Sequence, residues 1–498
     1  MMMMSSQLTQ TPPVWQPITS LLPHQVTAVA KMLPTRVGAL FMEMGTGKTR
    51  TVIELARLRQ GKYDRVFWFC PVSLKETIAQ EWRKHTDLPP DLLKVWDERV
   101  ADDRLPREAI VHIIGIESLS ASARVILAYR ALVTERSFVI ADESSYIKGH
   151  ASLRAQRLTT ISAGTRYRLI LTGTPFTQGE ADLYAQMSFL SPKILGYNSF
   201  YSFAANHLEY EMKLNEWGHQ VRTGRIVRTH NADYLAARIA PYTYQVRKDE
   251  CLDLPDKLYE TRSFYMTEEQ EGYYQQAKRE ILLDLDYEEW SSVAIFHLFS
   301  ALQSIVCGFW TRTVPQTGEK QRLTFYHRRV QTLMHALAEL PEGEPVILWC
   351  KYHYAIEQIA EAIRQRYGRE AYREFHGGLS EARRNEQLRA WQRGASRFLL
   401  ATQSAGGHGL TLNNAAYAIF YADGYKFSER LQAEDRNHRI GQQRRPTYLS
   451  LCCSGSIDDK IAASLARKEN ALLCFQRQVR RYRNKALKEK AIQLVKEL

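Results

Sequence analysis

The chain has 498 residues, 45% hydrophobic and 24% charged, with a formal net charge of +13. That length allows about two to four domains, each with its own core, and the balance is that of a globular protein rather than a disordered one. The basic excess points to a polyanionic partner, most simply nucleic acid.

Residues Met1 to Pro13 are polar after a run of methionines and lack the apolar centre of a signal peptide. Leu21-Leu22-Pro23-His24-Gln25 follows, and the Gln25 amide has the donor and acceptor needed to pair with an adenine edge. A strand is predicted over Gly38–Met42, then a loop, Glu43–Thr49, then a helix over Thr49–Gln60. Strand, glycine loop and helix in that order form a phosphate cradle: Gly45, Thr46 and Gly47 wrap the chain and the helix N-terminus points its N–H groups at the ligand. Lys48 would reach the β/γ-phosphates and Thr49 would ligate Mg²⁺. Met42 stands where the general motif has its first glycine.

Further strands are predicted at Val66–Cys70, Ile110–Ile114, Phe138–Ala141 and Arg168–Leu171. Short apolar runs alternating with helical stretches argue for a parallel sheet covered by helices. The Phe138 strand ends in Asp142-Glu143, where Asp142 suits Mg²⁺ and Glu143 suits the activation of a water. Residues 191–340 read differently. Helices are expected at Phe200–Tyr210, Asp233–Ile239, Glu268–Leu285 and Ser291–Thr311, and a basic hairpin over Trp217–Val227 turning at Thr223-Gly224.

Alternation returns with strands at Pro345–Trp349, Arg397–Ala401 and Ala418–Tyr421 and a helix over Tyr352–Arg366. The fold class is therefore α/β, with two doubly wound parallel-sheet lobes and helical insertions. In Gln432–Gln442, Arg436 and Arg439 are spaced to share one helix face and could stabilise charge on a γ-phosphate. The same spacing equally suits a basic surface helix, with Asp435 and Arg439 as an i, i+4 salt bridge. The tail from Arg467 to Leu498 reads as one basic helix, suited to contact DNA or to pack on the second lobe. The seven cysteines include no Cys-x-x-Cys pair, and Cys452 and Cys453 are adjacent, so reduced thiols and no metal centre are expected. No run approaches the roughly 20 apolar residues that span a bilayer.

Together these motifs resemble superfamily-two helicases, and within them the SWI/SNF-type DNA-dependent ATPases, over about residues 18–470. Cys70-Pro71-Val72-Ser73-Leu74 with Trp82, Ile114–Leu119, Asp142–Lys148 and Leu171-Thr172-Gly173-Thr174-Pro175 resemble successive motifs of the first lobe. Arg247-Lys248 with Leu254-Pro255-Asp256-Lys257 resembles the signature between lobes; His376-Gly377-Gly378 with Arg384, Thr402–Leu412 and Gln432–Gln442 resemble those of the second. Two positions depart from the pattern: Ser145 replaces a usual histidine, and Gly424-Tyr425-Lys426-Phe427 replaces a Trp-Asn-Pro.

The resemblance implies a RecA-like ATP-binding lobe at 15–200, a helical and hairpin insertion at 201–250, a RecA-like helicase lobe at 251–470 with its own insertion near 266–330, and a basic C-terminal helix at 471–498. It implies an ATPase with ATP and Mg²⁺ as cofactors that translocates on DNA, duplex or branched, as a monomer. Lys48, Glu143, Arg436 and Arg439 would be catalytic. Gln25, Gly45, Thr46, Gly47, Thr49, Asp142 and Gly407 would hold the nucleotide, with Thr172 and Thr174 linking it to the DNA loops. Ser73, Leu74, Gly115, Ser118, His376, Gly377, Thr402 and Gly407, with Arg222, Arg225 and Arg228 of the hairpin, would contact nucleic acid. Strand separation on DNA or RNA, and a scaffold that binds ATP without hydrolysing it, are the alternatives. A compact motor of this kind is expected in the cytoplasm of a bacterium or a phage-infected cell, not secreted.

Overall fold

The structure, a computed structural model, describes residues 14–173, 181–214, 219–283, 291–313, 319–403, 410–484 and 488–498. The chain divides between Asp253 and Leu254 into two compact units.

In the first unit the strands are Val37–Met42 (β1), Val66–Cys70 (β2), Leu93–Val95 (β3), Val111–Gly115 (β4), Phe138–Asp142 (β5), Tyr167–Leu171 (β6), Leu208–Leu214 (β7), Gln220–Thr229 (β8) and Thr243–Val246 (β9). Seven of them form one sheet in the order β3-β4-β2-β5-β6-β1-β9, with every neighbour parallel. The central strands are buried on both faces. Phe67, Phe69, Val139 and Ala141 join one core, while Val66, Trp68, Cys70, Phe138 and Ile140 join the other. That double burial is why these strands read as continuous apolar runs rather than alternating ones.

The hairpin is β7 against β8, antiparallel, with Glu209 opposite Arg228 and Met212 opposite Arg222. The expected turn at Thr223-Gly224 is corrected: both lie inside β8, where register shifts give ten residues against seven. Bulging absorbs the extra residues, so a glycine there marks an irregular strand rather than a reversal. The expected Phe200–Tyr210 helix stops at His207 and the chain enters β7. Nor is 201–250 a separate insertion, because β9 pairs with β1 and completes the sheet.

The second unit holds Leu258–Phe264 (β10), Phe309–Thr313 (β11), Lys320–Thr324 (β12), Val346–Cys350 (β13), Tyr372–Phe375 (β14), Phe398–Thr402 (β15), Tyr417–Phe420 (β16) and Thr447–Cys453 (β17). Its parallel sheet runs β10-β17-β16-β13-β15-β14. The helix expected over Ser291–Thr311 ends at Val306, and Phe309–Thr313 turns into a small hairpin with β12. The basic tail is two helices, Ala471–Asn484 and Lys488–Lys496. Ala471, Phe475, Val479, Ala491, Val495 and Leu498 sit in the unit's core, leaving Arg477, Arg481, Lys488 and Lys490 exposed. Tyr274 fastens this tail: its hydroxyl donates to Leu498 O and accepts the Ile457 N–H, each at 2.7 Å.

A buried ion pair closes the same core. Arg329, 0% exposed, donates to the Asp458 carboxylate and to the carbonyls of Tyr421 and Leu451. Arg329→Met is expected to cost roughly 3–5 kcal/mol, because it leaves the Asp458 charge buried without its cation. Adding Asp458→Leu should recover part of that loss. Denaturant unfolding of the single and double variants checks both statements.

Candidate nucleotide site and nucleic-acid loops

Strands β5, β6 and β1 are neighbours and parallel, with Asp142 opposite Leu171 and Leu40 also opposite Leu171. Their carboxyl ends therefore deliver three loops to one edge of the sheet, the position where open α/β sheets bind ligands. After β1 comes the glycine loop. Gly45 (φ 82°) and Gly47 (φ 84°) are both left-handed, and the helix Lys48–Leu58 starts directly behind them. No L side chain adopts those two turns cheaply, and the helix start leaves N–H groups free for an anion.

The carbonyl side of this loop is tied down. His24 Nε2 donates to Thr46 O at 2.7 Å, and Gln25 Nε2 donates to Thr46 O at 3.2 Å and to Gly47 O at 3.4 Å. The other end of the Gln25 amide accepts the Leu22 N–H at 2.9 Å. Gln25 thus supports the loop from behind rather than offering a free amide edge to a base. Thr46 is likewise structural through its side chain, which is buried and donates to Glu43 O at 2.7 Å. Glu43 in turn accepts the Lys248 N–H at 2.7 Å, and its own N–H reaches Val246 O. Lys48 donates to Met42 O at 2.8 Å and Glu43 O at 3.3 Å, while Thr49 is half-buried at the helix start.

At the end of β5, Asp142 is buried and accepts Trp68 Nε1 at 3.2 Å and the Glu143 N–H at 3.0 Å. Burial pushes its carboxyl up to about 6; Lys48 opposes this and Glu143 adds to it. Thr49 and Asp142 are the pair that could hold a divalent cation, which would relieve the strain of an ionised Asp142. Glu143 sits in the left-handed region at φ 53°, a strained backbone of the kind found at functional sites. Two hydroxyls fix its carboxylate: Ser145 Oγ at 2.9 Å and, from the end of β6, Thr172 Oγ1 at 3.1 Å, both on Oε1. A Cβ at Gly173 would stand 3.3 Å from Met44 N, so the chain after β6 runs hard against the nucleotide loop. Thr174 lies outside the described residues.

In the second unit the helix Phe427–Glu434 stops at Glu434, with Asp435 as its C-cap. Arg436 and Arg439 are therefore in a turn, not on one helix face as their spacing suggested. The turn is held from several sides. Arg436 O accepts the Leu412 N–H at 2.8 Å, Arg439 donates to Leu410 O at 3.0 Å, and the Gln442 amide donates to Asn413, Ala415 and Asn437 carbonyls. Such competing partners explain why the helix ends where it does.

The loops expected to meet nucleic acid divide into two groups. Ser73 is exposed, Ser118 is half-buried, His376 is half-buried with Glu374 at 3.1 Å, and Gly377 is exposed with open space where a Cβ would stand. Gly115, Leu74 and Thr402 are corrected. Gly115 is buried, and a Cβ there would stand 2.5 Å from Val72 Cγ2, so it serves close packing. Leu74 is in a core, and Thr402 is buried at the end of β15 opposite Cys350. Gly407 lies outside the described residues. On the hairpin, Arg228 is exposed, and Arg222 lies 4.5 Å over the Tyr210 ring; Arg225 belongs to β8.

The model of the SNF2-related domain matches residues 24–308, and the helicase conserved C-terminal domain matches residues 328–441. The chain belongs to the SNF2-related family. Its two domains are those of DNA-dependent ATPases of helicase superfamily two, and they use ATP. Among its relatives, the mouse (Mus musculus) DNA annealing helicase and endonuclease ZRANB3 is 24% identical over 467 residues, covering 90% of this chain and 40% of that protein. The transcription regulatory protein SNF2 of Saccharomyces cerevisiae is 25% identical over 464 residues, covering 86% of this chain and 26% of that one. This SNF2-related chain thus spans two fifths or less of the length of those relatives. A solved SWI2/SNF2 ATPase core of Sulfolobus solfataricus in complex with dsDNA is 21% identical, covers 92% of this chain and 93% of that chain, and has a TM-score of 0.41. Among the described residues no helix is long and apolar enough to cross a membrane, and no group of three or more His, Cys, Asp or Glu residues could hold a metal.

Sequence reading of this SNF2-related chain missed His24 and Trp68 as parts of the site, and it placed Ser145 and Thr172 in motifs without foreseeing their bonds to Glu143. Of His24 and Trp68, only His24 carried a signal, its place beside Gln25. Asp142 gives a clean test of the geometry. Its carboxyl keeps its proton to about pH 6 when folded but only to 3.8 at the ordinary value. Folding therefore takes up a proton, and the contribution to stability is present at low pH and lost as pH rises from 3.8 through 6. Asp142→Asn should stabilise the fold at neutral pH by up to about 3 kcal/mol, and change little at about pH 4. Thermal unfolding at the two pH values measures this; a lower midpoint at neutral pH contradicts the burial account.

Proposed function

We propose that this SNF2-related protein hydrolyses ATP when bound to DNA and moves along the duplex. The observation that carries the reading is the meeting of the glycine loop, Asp142-Glu143 and Thr172 at three adjacent strand ends of the first unit. Lys48 and the loop N–H groups would bind the phosphates, and Thr49 and Asp142 would hold Mg²⁺, which supplies positive charge to the phosphate oxygens. Glu143 would orient and deprotonate the attacking water, with Thr172 and Ser145 fixing its carboxylate. Arg436 and Arg439 would offer guanidinium charge to the γ-phosphate as it leaves. Ser73, Ser118, His376 and Gly377 would contact the DNA backbone, which needs hydroxyls and N–H groups but no base reading. The seven cysteines are free thiols, which suits the reducing cytoplasm.

The deciding assay is steady-state ATP hydrolysis at fixed salt with no nucleic acid, single-stranded DNA, duplex DNA, forked DNA and RNA. Strong stimulation by duplex, followed by displacement of a triplex strand, supports translocation. Stimulation by single strands or RNA alone supports strand separation instead. Lys48→Ala and Glu143→Gln are each expected to lower turnover at least about 10³-fold while DNA binding survives. Near-normal hydrolysis in either variant rejects the assigned site.

The hairpin arginines make a second, independent prediction. If they contact phosphates, Arg222→Ala with Arg228→Ala should weaken duplex binding equally on all sequences and reduce the slope of log K against log salt by roughly 2. An unchanged slope assigns those arginines to the solvated face of the hairpin.

A further inference from the structure

The chain enters the second unit through Leu254-Pro255-Asp256-Lys257, directly before β10. This short segment touches the arginine turn twice. Lys257 Nζ lies 2.8 Å from Glu434 Oε2, and His438 Nε2 donates to Pro255 O at 3.0 Å. Glu434 ends the helix before the turn and His438 lies within it, so the two attachments bracket Arg436. The rest of the Glu434 carboxylate is also engaged. Tyr259 donates to Oε2 and Arg430 to Oε1, each at 2.8 Å, and Arg430 continues to Asp423 at 2.7 Å. Burial alone would push the Glu434 carboxyl up, but Lys257 first and Arg430 next hold it below its usual value. Behind the turn, Tyr448 OH is shared between Glu434 O at 3.1 Å and Asn437 Oδ1 at 2.9 Å. Tyr259, Arg430 and Glu434 also line a cleft of about 460 Å³. Water reaches one side of the network, so a single contact here has a moderate effect rather than an all-or-none one.

We propose that Leu254–Lys257 is a strap that positions the arginine turn, with Lys257 as its main positioning residue acting through Glu434. Lys257 is engaged by Glu434, so its effect on the reaction runs through that carboxylate. It sets where Arg436 stands by gripping the helix end on one side, while Pro255 O holds His438 on the other. The inference rests on the reading above that Arg436 acts in hydrolysis.

Three variants of the full chain, assayed for duplex-stimulated ATP hydrolysis, test it. Lys257→Met should lower kcat about 10-fold with KM for ATP within about twofold, and Lys257→Arg should restore most of the rate. Arg436→Lys should be slow by itself, and combining it with Lys257→Met should cost less than the product of the two single effects, because both act through one turn. Tyr259→Phe is the control: it removes a donor from the same carboxylate oxygen but leaves the strap intact, and it should stay within about twofold of the parent rate. Multiplicative effects in the double variant, or a loss in Tyr259→Phe equal to that in Lys257→Met, overturn the strap. A slow Arg436→Lys beside a fast Lys257→Met overturns the strap alone, whereas a parent-like Arg436→Lys overturns both the strap and the arginine reading.

Discussion

Everything at the candidate site depends on strands β1, β6 and β5 ending side by side. A parallel sheet points all its strand ends the same way, so loops distant in sequence emerge together. The register pairs Asp142 with Leu171, and Leu171 with Leu40. From that alone Lys48, Glu143 and Thr172 are close, before any specific contact forms. The contacts then refine the arrangement. Thr172 reaches Glu143 across the edge, and Gly173 lets the chain after β6 lie against Met44 without a side chain between them.

The same edge is where stability is given up. Asp142 belongs to a strand buried on both faces, and its carboxylate faces Trp68 rather than water. An ionised carboxylate there is unfavourable, and a left-handed Glu143 next to it adds backbone strain. Neither feature helps the chain fold. Both fit the proposal that Asp142 helps to hold a cation, whose charge would relieve the cost of the ionised carboxylate.

How much of this was legible in the sequence follows from physical rules. The central strands of both sheets were readable within a residue or two, because burial on both faces demands unbroken apolar runs such as Val66–Cys70 and Val346–Cys350. Strands β3, β9, β10, β14 and β17 were not readable. They lie at or next to the sheet margins and carry polar residues, as in Leu258–Phe264, where only Phe264 is buried. Glycine-loop, Asp-Glu and arginine motifs were legible because their chemistry needs particular residues at fixed spacing. The arginines' conformation was not, because a periodicity of three suggests a helix equally well whether or not tertiary partners such as Leu410 and Leu412 cut that helix short. Gly115 and Thr402 show the opposite limit: a loop residue at a strand end can be chosen for packing, and spacing alone does not distinguish packing from contact.

Gln25 and Thr46 extend that point to the nucleotide loop itself. A polar residue beside a ligand site reads naturally as a ligand contact, yet a phosphate loop has two sides. Its N–H groups serve the anion only while its carbonyls face elsewhere, and those carbonyls are acceptors that need donors of their own. His24 and Gln25 supply them at Thr46, Gln25 again at Gly47, Thr46 and Lys48 at Glu43, and Lys48 at Met42. Of these, Lys48 is the donor with a second task, since its ammonium suits the phosphates as well as the carbonyls. Were it to turn to phosphate, the Met42 carbonyl would give up that donor, while His24, Gln25 and Thr46 would still donate to the carbonyls of Thr46, Gly47 and Glu43. Three of the four side chains that hold the loop thus carry no charge for the phosphates, and its shape does not rest on Lys48 alone.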